Sequence, residues 1–319
     1  MIEKQKYAHA KTYRVSSYRE CLSTCEKIRK TSNAYAIIEF EKPLEIEGRT
    51  SFPYSNFYLK GNGSKFVSNS AGKYTDKDNR ELTTWRTATF SSYGDNCIFE
   101  DFIFENRACL PEKNGQAVAL SCFSNNCLFI NCKIVSSQDT LFIGPLPDDL
   151  IFRYTDFIPE RERLIEGNLH NYFYSCYIEG GIDFIFGAGQ ASFYKCQIDS
   201  EEDNRFSTSF VSAPAHSMKD DFGFHFYKCN FTSRTIFQQR VYLARPWRDF
   251  GKCFFNSCKY GKHISSEGFI NWELTQRQLT CRFLEYPRQK SRVSFAKEVD
   301  DVSKLKQYVK DIRNLEKLD

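Results

Sequence analysis

The stretch Phe173-Tyr174-Ser175-Cys176-Tyr177-Ile178 decides the fold, because its pattern returns along most of the chain. The pattern is an aromatic residue, two further residues, a Cys or Phe, one more residue and then an apolar residue. Its six copies begin at residues 99, 129, 173, 193, 226 and 255. The closest copies are about 20 residues apart, and the longer spacings leave room for inserted loops.

A base period of about 20 residues fits a solenoid of short strands better than a helical repeat. We therefore predict an all-β fold, a parallel β-helix with one short strand per face in each coil. The recurring Cys would point into the coil, where a small, apolar and adaptable side chain fits. A disulfide framework is the alternative, but the Cys residues occupy equivalent positions in successive coils, and no oxidising context is indicated.

Composition agrees with this class and excludes others. The chain contains 30 Phe and 18 Tyr against 2 Met, which favours β structure over helical bundles. The net charge of +4 does not resemble a nucleic-acid-binding stripe, although it tolerates an acidic substrate. No run approaches the roughly 18 apolar residues of a membrane helix. We expect neither a nucleic-acid partner nor a membrane partner.

The cysteines and the N-terminal residues bear on the compartment. The first residues, MIEKQKYAHAKTY, are polar and lack the apolar core of a secretory signal. The 13 Cys are an odd number, which suggests buried free thiols in a reducing compartment. We therefore expect a cytoplasmic protein, or a secreted one if a leader had been removed.

The chain is predicted to form a single domain over residues 1–319. Residues 16–30 form an amphipathic helix that covers the first coil, and Ser17 with Glu20 gives it a capping box. The coils are expected over residues 35–285. Residues 296–318 place apolar side chains at helical spacing, which predicts a C-terminal helix docked on the solenoid.

Four segments place polar side chains in or beside apolar runs. They are QAVAL from Gln116, QDTLF from Gln138, GGIDFIFG from Gly180, and YLARPW from Tyr242. A regular strand would put Asp183 on the face opposite the bulky aromatic residues around it. Each segment alone is weak evidence for a functional site, because a Gln, Asp or Arg on a strand is most often exposed to solvent.

Together and in order, the four segments resemble the active-site motifs of the pectin methylesterases. The similarity runs from about residue 87 to Trp272. The resemblance implies a right-handed parallel β-helix that hydrolyses the methyl esters of galacturonate units and releases methanol. The implied substrate is methyl-esterified homogalacturonan or an oligogalacturonide. No metal or organic cofactor is implied.

The resemblance also assigns roles residue by residue. It makes Asp183 the nucleophile and Asp139 the general acid and base. Gln116 and Gln138 match the pair that stabilises the oxyanion, and Arg245 matches the residue that orients the nucleophile. The expected substrate contacts are Trp247, Thr140 and Phe184.

Elementary chemistry explains these residue types. Ester hydrolysis needs a nucleophile, a proton for the leaving alkoxide and donors for the oxyanion. Arg245 would lower the pKa of Asp183, whereas burial beside a second acid would raise the pKa of Asp139. Uncharged Gln side chains donate hydrogen bonds without disturbing that pairing.

Departures from the family pattern concern the surroundings of the site. Ala244 stands where Gly is usual, Phe142 where Tyr is common, and Phe269 where Trp is expected. Because the catalytic set is intact, these changes affect the expected preference among substrates more than the expected activity.

Three alternative functions remain open. A non-catalytic carbohydrate-binding β-helix would keep the fold without the reaction. An esterase or thioesterase for another acyl substrate would keep the chemistry. A pectate lyase or polygalacturonase would need its own acidic arrangement, which is not recognisable here. The five His form no ligand set or triad, and no G-x-S-x-G elbow is present.

Overall fold

A computed structural model describes residues 4–108, 111–153, 158, 160–165, 167–203, 205, 207–220, 222–236 and 238–319. The strands are β1 (Lys11–Val15), β2 (Ala36–Phe40), β3 (Glu45–Glu47), β4 (Thr50–Phe52), β5 (Phe57–Ser68), β6 (Phe90–Ser92), β7 (Ile98–Asn106), β8 (Leu120–Cys122), β9 (Leu128–Ile130), β10 (Lys133–Val135), β11 (Leu141–Ile143), β12 (His170–Tyr174), β13 (Tyr177–Gly180), β14 (Ile182–Gly187), β15 (Gln190–Tyr194), β16 (Gln197–Ser200), β17 (Ser209–Pro214), β18 (Phe224–Tyr227), β19 (Asn230–Thr232), β20 (Val241–Ala244), β21 (Lys252–Asn256), β22 (Lys259–Tyr260), β23 (Arg282–Tyr286) and β24 (Lys297–Glu298).

Helices are short and lie outside the coils. The α-helices are α1 (Tyr18–Thr31), α2 (Pro111–Asn114), α3 (Asp148–Arg153), α4 (Glu160–Arg163) and α5 (Lys306–Leu315). Single 3-10 turns cover Lys4–Tyr7, Thr84–Arg86, Arg277–Leu279, Val302–Lys304 and Glu316–Leu318. No helix in the described part of the chain is long and apolar enough to span a bilayer.

The strands stack in parallel to form three faces, and each full coil visits the faces in the same order. The first face runs through β1, β2, β5, β7, β9, β12, β15, β18, β21, β23 and β24. The second runs through β3, the later halves of β5 and β7, then β10, β13, β16, β19 and β22. The third consists of β4, β6, β8, β11, β14, β17 and β20. The predicted parallel β-helix is confirmed.

The third position of the repeated pattern makes the corner between the first and second faces. That residue has a positive φ in all six copies: Asp101, Asn131, Ser175, Lys195, Lys228 and Ser257, at 50° to 58°. Left-handed backbone is uncommon outside glycine, so the neighbouring coil must hold it in place. It does so through hydrogen bonds such as Ser175 N–H to Tyr194 O at 2.9 Å. The corner turns both the preceding Phe and the following Cys inward.

Stacked Phe rings fill the interior behind the first face. Phe129, Phe173, Phe193 and Phe226 lie with successive ring centroids 4.7 to 4.9 Å apart and planes within 13° of parallel. Each Cys thiol behind the second face donates to a carbonyl of the coil before it, as Cys196 Sγ does to Phe173 O at 3.4 Å. The predicted inward Cys ladder is confirmed, and the described cysteines are free thiols.

Helix α1 covers the N-terminal end of the interior. Its buried residues Tyr18, Cys21 and Cys25 join the interior core. Ser17 Oγ accepts from Glu20 N–H at 3.2 Å, and the Glu20 carboxylate accepts from Ser16 N–H at 2.8 Å, so the two ends of the capping segment are bonded. The coils begin earlier than the predicted residue 35, because β1 precedes α1 and pairs with β2.

The C-terminal helix is shorter than the predicted span of 296–318. The segment Lys297–Glu298 instead forms β24 and pairs with Leu284 and Glu285 of β23. The side chain of Asp301 then caps a 3-10 turn by accepting from Ser303 N–H at 2.9 Å, and α5 begins only after that turn. Leu315 packs against outward-facing tyrosines of the first face, so the helix docks on the side of the solenoid.

Candidate active site

Asp139 and Asp183 lie opposite each other on adjacent coils of the third face. Gln138 is paired with Ile182, and Leu141 with Ile185, so the register places the two acids side by side. Asp139 N–H donates to Ile182 O at 3.1 Å. Because neighbouring strands are about 4.8 Å apart, residues separated by 44 positions in sequence share one patch of surface.

The strand around Asp183 is not regular, which corrects the predicted alternation. Asp183 has φ of +48°, and the register of β14 against β17 shifts between Ile182 and Ile185. Phe184 and Ile185 consequently both face the interior core. Phe186 faces outward and lines the cavity beside the acids.

Two predicted substrate contacts, Phe184 and Thr140, are also corrected by the structure. Phe184 and Thr140 are fully buried, and neither side chain lines the cavity. Thr140 Oγ1 donates to Glu179 O at 3.0 Å, beneath the turn at Gly180. A Cβ on Gly180 would lie 2.6 Å from that hydroxyl, so only glycine fits there. The prediction that Thr140 and Phe184 contact the substrate is wrong, because both point into the solenoid.

A cavity of about 260 Å³ opens above the two acids. It contains the other six predicted site residues: Gln116, Gln138, Asp139, Asp183, Arg245 and Trp247. Four lining residues were not predicted for the site: Thr84, Phe186, Ala213 and Trp272. The structure therefore assembles the polar set from segments that lie far apart in the chain.

Arg245 binds Asp183 through both oxygens. Its Nε donates to Asp183 Oδ1 at 2.8 Å and its Nη2 to Oδ2 at 2.6 Å. Arg245 directly follows β20, and the register Ser212 to Ala244 places it across from the small Ala213, which leaves room for the side chain to reach back to Asp183. The guanidinium carbon lies 3.8 Å from the ring centroid of Phe210 and 4.1 Å from that of Trp272. These rings fix its plane.

Burial and neighbouring charges give the two acids different pKa shifts. Burial, then the negative charge of Asp183, raises the pKa of Asp139 well above its usual range. Burial also raises the pKa of Asp183, against the opposing hydrogen bonds and charge of Arg245. The predicted effect of Arg245 is present, but the predicted net lowering for Asp183 is not. Asp139 is the acid of the pair that retains a proton to higher pH.

Comparison with known proteins identifies the family. A family model described as Pectinesterase matches residues 16–146 and 148–309. The chain belongs to the pectinesterase family.

Relatives and solved structures agree with this membership. The chain is 30% identical over 267 residues to Pectinesterase QRT1 of Arabidopsis thaliana, covering 80% of this chain and 62% of that protein. It is 30% identical over 194 residues to Pectinesterase 31 of Arabidopsis thaliana, covering 60% and 51%. The chain thus spans about half to three-fifths of the length of these relatives.

Two solved structures show the same fold at low identity. The pectin methylesterase from Yersinia enterocolitica has a TM-score of 0.71 at 20% identity, covering 92% of this chain and 97% of that one. The pectin methylesterase from carrot has a TM-score of 0.68 at 19% identity, covering 86% and 82%.

Aromatic rings form one wall of the cavity in this member of the pectinesterase family. Trp247 lies 6.3 Å from Trp85 with planes 25° apart, and 5.9 Å from Phe186. Trp85 and Trp272 carry no sequence signal of their own, because a Trp near an apolar run is usually a core residue. Only the fold shows that Trp272 lines the cavity above the acids and that Trp85 stacks beside Trp247.

Arg205 is the charged residue that sequence analysis missed. Its Nη2 donates to Gln138 Oε1 at 2.6 Å, so it contacts the predicted oxyanion pair directly. It lies in the loop between β16 and β17, outside the four segments that carry the family resemblance, and no pattern in the sequence marks it.

A second, larger cavity of about 720 Å³ is lined in part by Trp85. Its lining includes Glu162, whose pKa burial raises to about 7, and Arg49 and Arg86. Among the described residues that line it, Glu162 is the only carboxylate, so this part of the structure does not offer the paired acids that the family resemblance requires.

Proposed function

We propose that this chain is a carboxylic ester hydrolase that removes methyl esters from galacturonate units of pectin or pectic oligosaccharides and releases methanol. The observation that carries the proposal is the pair of acids on adjoining coils, one bound by the Arg245 fork and the other raised in pKa. Family membership supports the same reaction.

In the first step, an Asp183 oxygen attacks the ester carbonyl carbon. Arg245 donates to both Asp183 oxygens and favours the ionised carboxylate. The carbonyl oxygen becomes an oxyanion, which the side-chain amides of Gln116 and Gln138 stabilise by donating hydrogen bonds. Collapse breaks the bond to methoxide, and protonated Asp139 gives that group its proton, so methanol leaves.

In the second step, water hydrolyses the acyl intermediate on Asp183. Asp139, now a carboxylate, takes a proton from water as the water oxygen attacks the acyl carbon. The bond to Asp183 breaks, so the nucleophile is regenerated as a carboxylate. The galacturonic acid leaves and then loses its proton to solvent, while Asp139 keeps the proton that it took from water. Its raised pKa suits Asp139 to both roles, because an acid that titrates closer to neutrality gives and accepts protons more readily.

The aromatic wall supports a sugar substrate. Trp247, Trp272 and Phe186 present ring surfaces beside the acids. Such surfaces pack against the apolar faces of sugar rings, while the polar groups of the cavity fix orientation. Trp247 is therefore the proposed substrate contact, and Phe186 takes the role that the sequence assigned to Phe184.

We further propose that the enzyme acts in the cytoplasm on short methylated oligogalacturonides. The free thiols of the interior support a reducing compartment, because the cysteines behind the second face, such as Cys176 and Cys196, donate to neighbouring carbonyls as thiols. Cell fractionation checks the location, and kcat/KM on a methylated trimer against long pectin checks the size preference. Protein found outside the cell, or a clear preference for the polymer, contradicts this part.

The reaction itself is tested by measuring methanol release from methyl-esterified oligogalacturonide. We expect one new carboxylate for each methanol, and no acetate from acetylated oligogalacturonide. Binding of the oligosaccharide without methanol release would contradict the proposal and favour a carbohydrate-binding β-helix. Release only from unrelated esters or thioesters would favour another acyl substrate.

Replacing Arg245 by Lys should shift the pH dependence. Lysine keeps the charge but cannot bind both oxygens of Asp183, so the pKa of Asp183 rises further. Because the first step needs ionised Asp183, the acid limb of kcat/KM moves to higher pH, and kcat falls by roughly tenfold to a hundredfold. The kcat/KM–pH profile measures this. An unchanged acid limb would show that Arg245 does not control the nucleophile.

A further inference from the structure

Arg205 connects a buried carboxylate to the amide of Gln138. Its Nη2 donates to Gln138 Oε1 at 2.6 Å and to Asp203 Oδ2 at 2.7 Å, and its Nε donates to Asp203 Oδ1 at 3.0 Å. Asp203 is buried and also accepts from Arg205 N–H at 2.9 Å. Asp203 thus holds the guanidinium in place, and the same guanidinium donates to Gln138.

An amide bonded in this way has one orientation. A glutamine side chain can turn by 180° and exchange its oxygen for its nitrogen, but Arg has only donors. The exchanged amide of Gln138 would place an N–H group against the N–H groups of Arg205. The bond from Arg205 therefore keeps Oε1 on the outer side and leaves Nε2 for the cavity.

The pKa of the neighbouring acid agrees with that orientation. A side-chain hydrogen bond from Gln138 lowers the pKa of Asp139, which means that the amide donates to the carboxylate. A series of hydrogen bonds therefore runs from Asp203 through Arg205 to Gln138, and Asp139 is the next residue in the chain. Each donor and acceptor in the series has one consistent direction.

We propose that Arg205 is a positioning residue that holds the Gln138 amide with its N–H groups facing the forming oxyanion. The inference rests on the ester hydrolysis proposed above. An amide free to turn would present its oxygen to the oxyanion for part of the time and repel it. Arg205 itself is not among the residues that line the cavity, so the proposed effect passes through Gln138.

A double-mutant cycle tests whether Arg205 acts through Gln138. We expect Arg205→Met to lower kcat by about tenfold to a hundredfold and to change KM by less than about threefold, because the amide contributes mainly in the transition state. Gln138→Ala should lower kcat by about a hundredfold or more. The double variant should match Gln138→Ala within about twofold, since the single removal leaves Arg205 nothing to orient.

Arg240→Met is the matched control. Arg240 lies outside the cavity and binds Glu202 at 2.8 Å and Ser207 O at 2.6 Å, on the loop that carries Arg205, so its removal tests the loss of a loop contact that does not involve Gln138. We expect its kcat to equal that of the wild type. Arg205→Lys, which retains the charge and a donor, should recover part of the activity lost in Arg205→Met.

A carboxyl titration of Asp139 by NMR supplies a readout that needs no turnover. Asp183, Arg245, Arg205 and Gln138 act on this carboxyl. Loss of Arg205 removes a positive charge and releases the amide, so the pKa of Asp139 rises, whereas Arg240→Met leaves it unchanged.

The outcomes separate this inference from the proposed function. Additive losses in the cycle, or an unchanged Asp139 titration in Arg205→Met, would overturn the positioning role even if methanol is released. A wild type without methanol release contradicts the proposed function, and the titration still decides whether the contacts from Arg205 to Asp139 exist.

Discussion

Replacing Asp183 by Asn should lower kcat for methanol release by at least about a thousandfold, because the amide cannot act as the attacking carboxylate. The substitution keeps the size of the side chain, and the site is 7% exposed, so little else can take over the attack. The measurement is the initial rate of methanol release from methylated oligogalacturonide by the variant and the wild type.

Asp199→Asn is the control for this variant. Asp199 is also a buried aspartate beside an arginine, since its Oδ2 lies 3.5 Å from Arg234 Nε, but it lies on the second face of the solenoid. It should retain wild-type kcat. Equal rates for Asp183→Asn and the wild type would refute the assignment of the nucleophile, and equal losses in both variants would point to a general effect on folding.

Replacing Phe193 by Ala should destabilise the fold by about 3–5 kcal/mol, the usual cost of removing a fully buried Phe. Phe193 lies between Phe173 and Phe226, with ring centroids 4.8 and 4.7 Å away. Its removal leaves a void inside the stack and takes a contact from both neighbouring coils. Unfolding in urea, followed by circular dichroism, measures the change in free energy of unfolding.

Phe152→Ala is the matched control for the core substitution. Phe152 is 82% exposed, so the same change should alter the free energy of unfolding by less than about 0.5 kcal/mol. A loss at Phe193 no larger than that at Phe152 would mean that the ring stack does not determine stability.

The coils were predictable from sequence because their interior imposes a strict pattern. In the six copies from Phe99 to Phe255, the same positions of the pattern point inward, so the same residue types recur there. The corner residues were not predictable. Ser175, Lys195 and Lys228 adopt left-handed backbone although neither Ser nor Lys favours it, because hydrogen bonds from the next coil impose that conformation.

The site was predictable where motifs carry its polar groups and unpredictable where geometry decides. Asp139, Asp183 and Arg245 stand in recognisable segments, and the structure brings them together. The alternation of inward and outward side chains could not show which of Phe184 and Phe186 faces the cavity, because the register shift next to Asp183 interrupts that alternation. Arg205 left no signal at all, since its role depends on the position of a loop relative to another coil.

The parts of the site come from four different coils: Gln116 precedes β8, Asp139 precedes β11, Asp183 lies in β14, and Arg245 follows β20. No local segment of the polypeptide can therefore bring the nucleophile and its guanidinium partner together by itself. A growing chain acquires the proposed chemistry only after the coil that ends at Arg245 has closed over the earlier ones. Local unfolding that detaches that coil should therefore abolish the proposed hydrolysis while most of the solenoid is still folded.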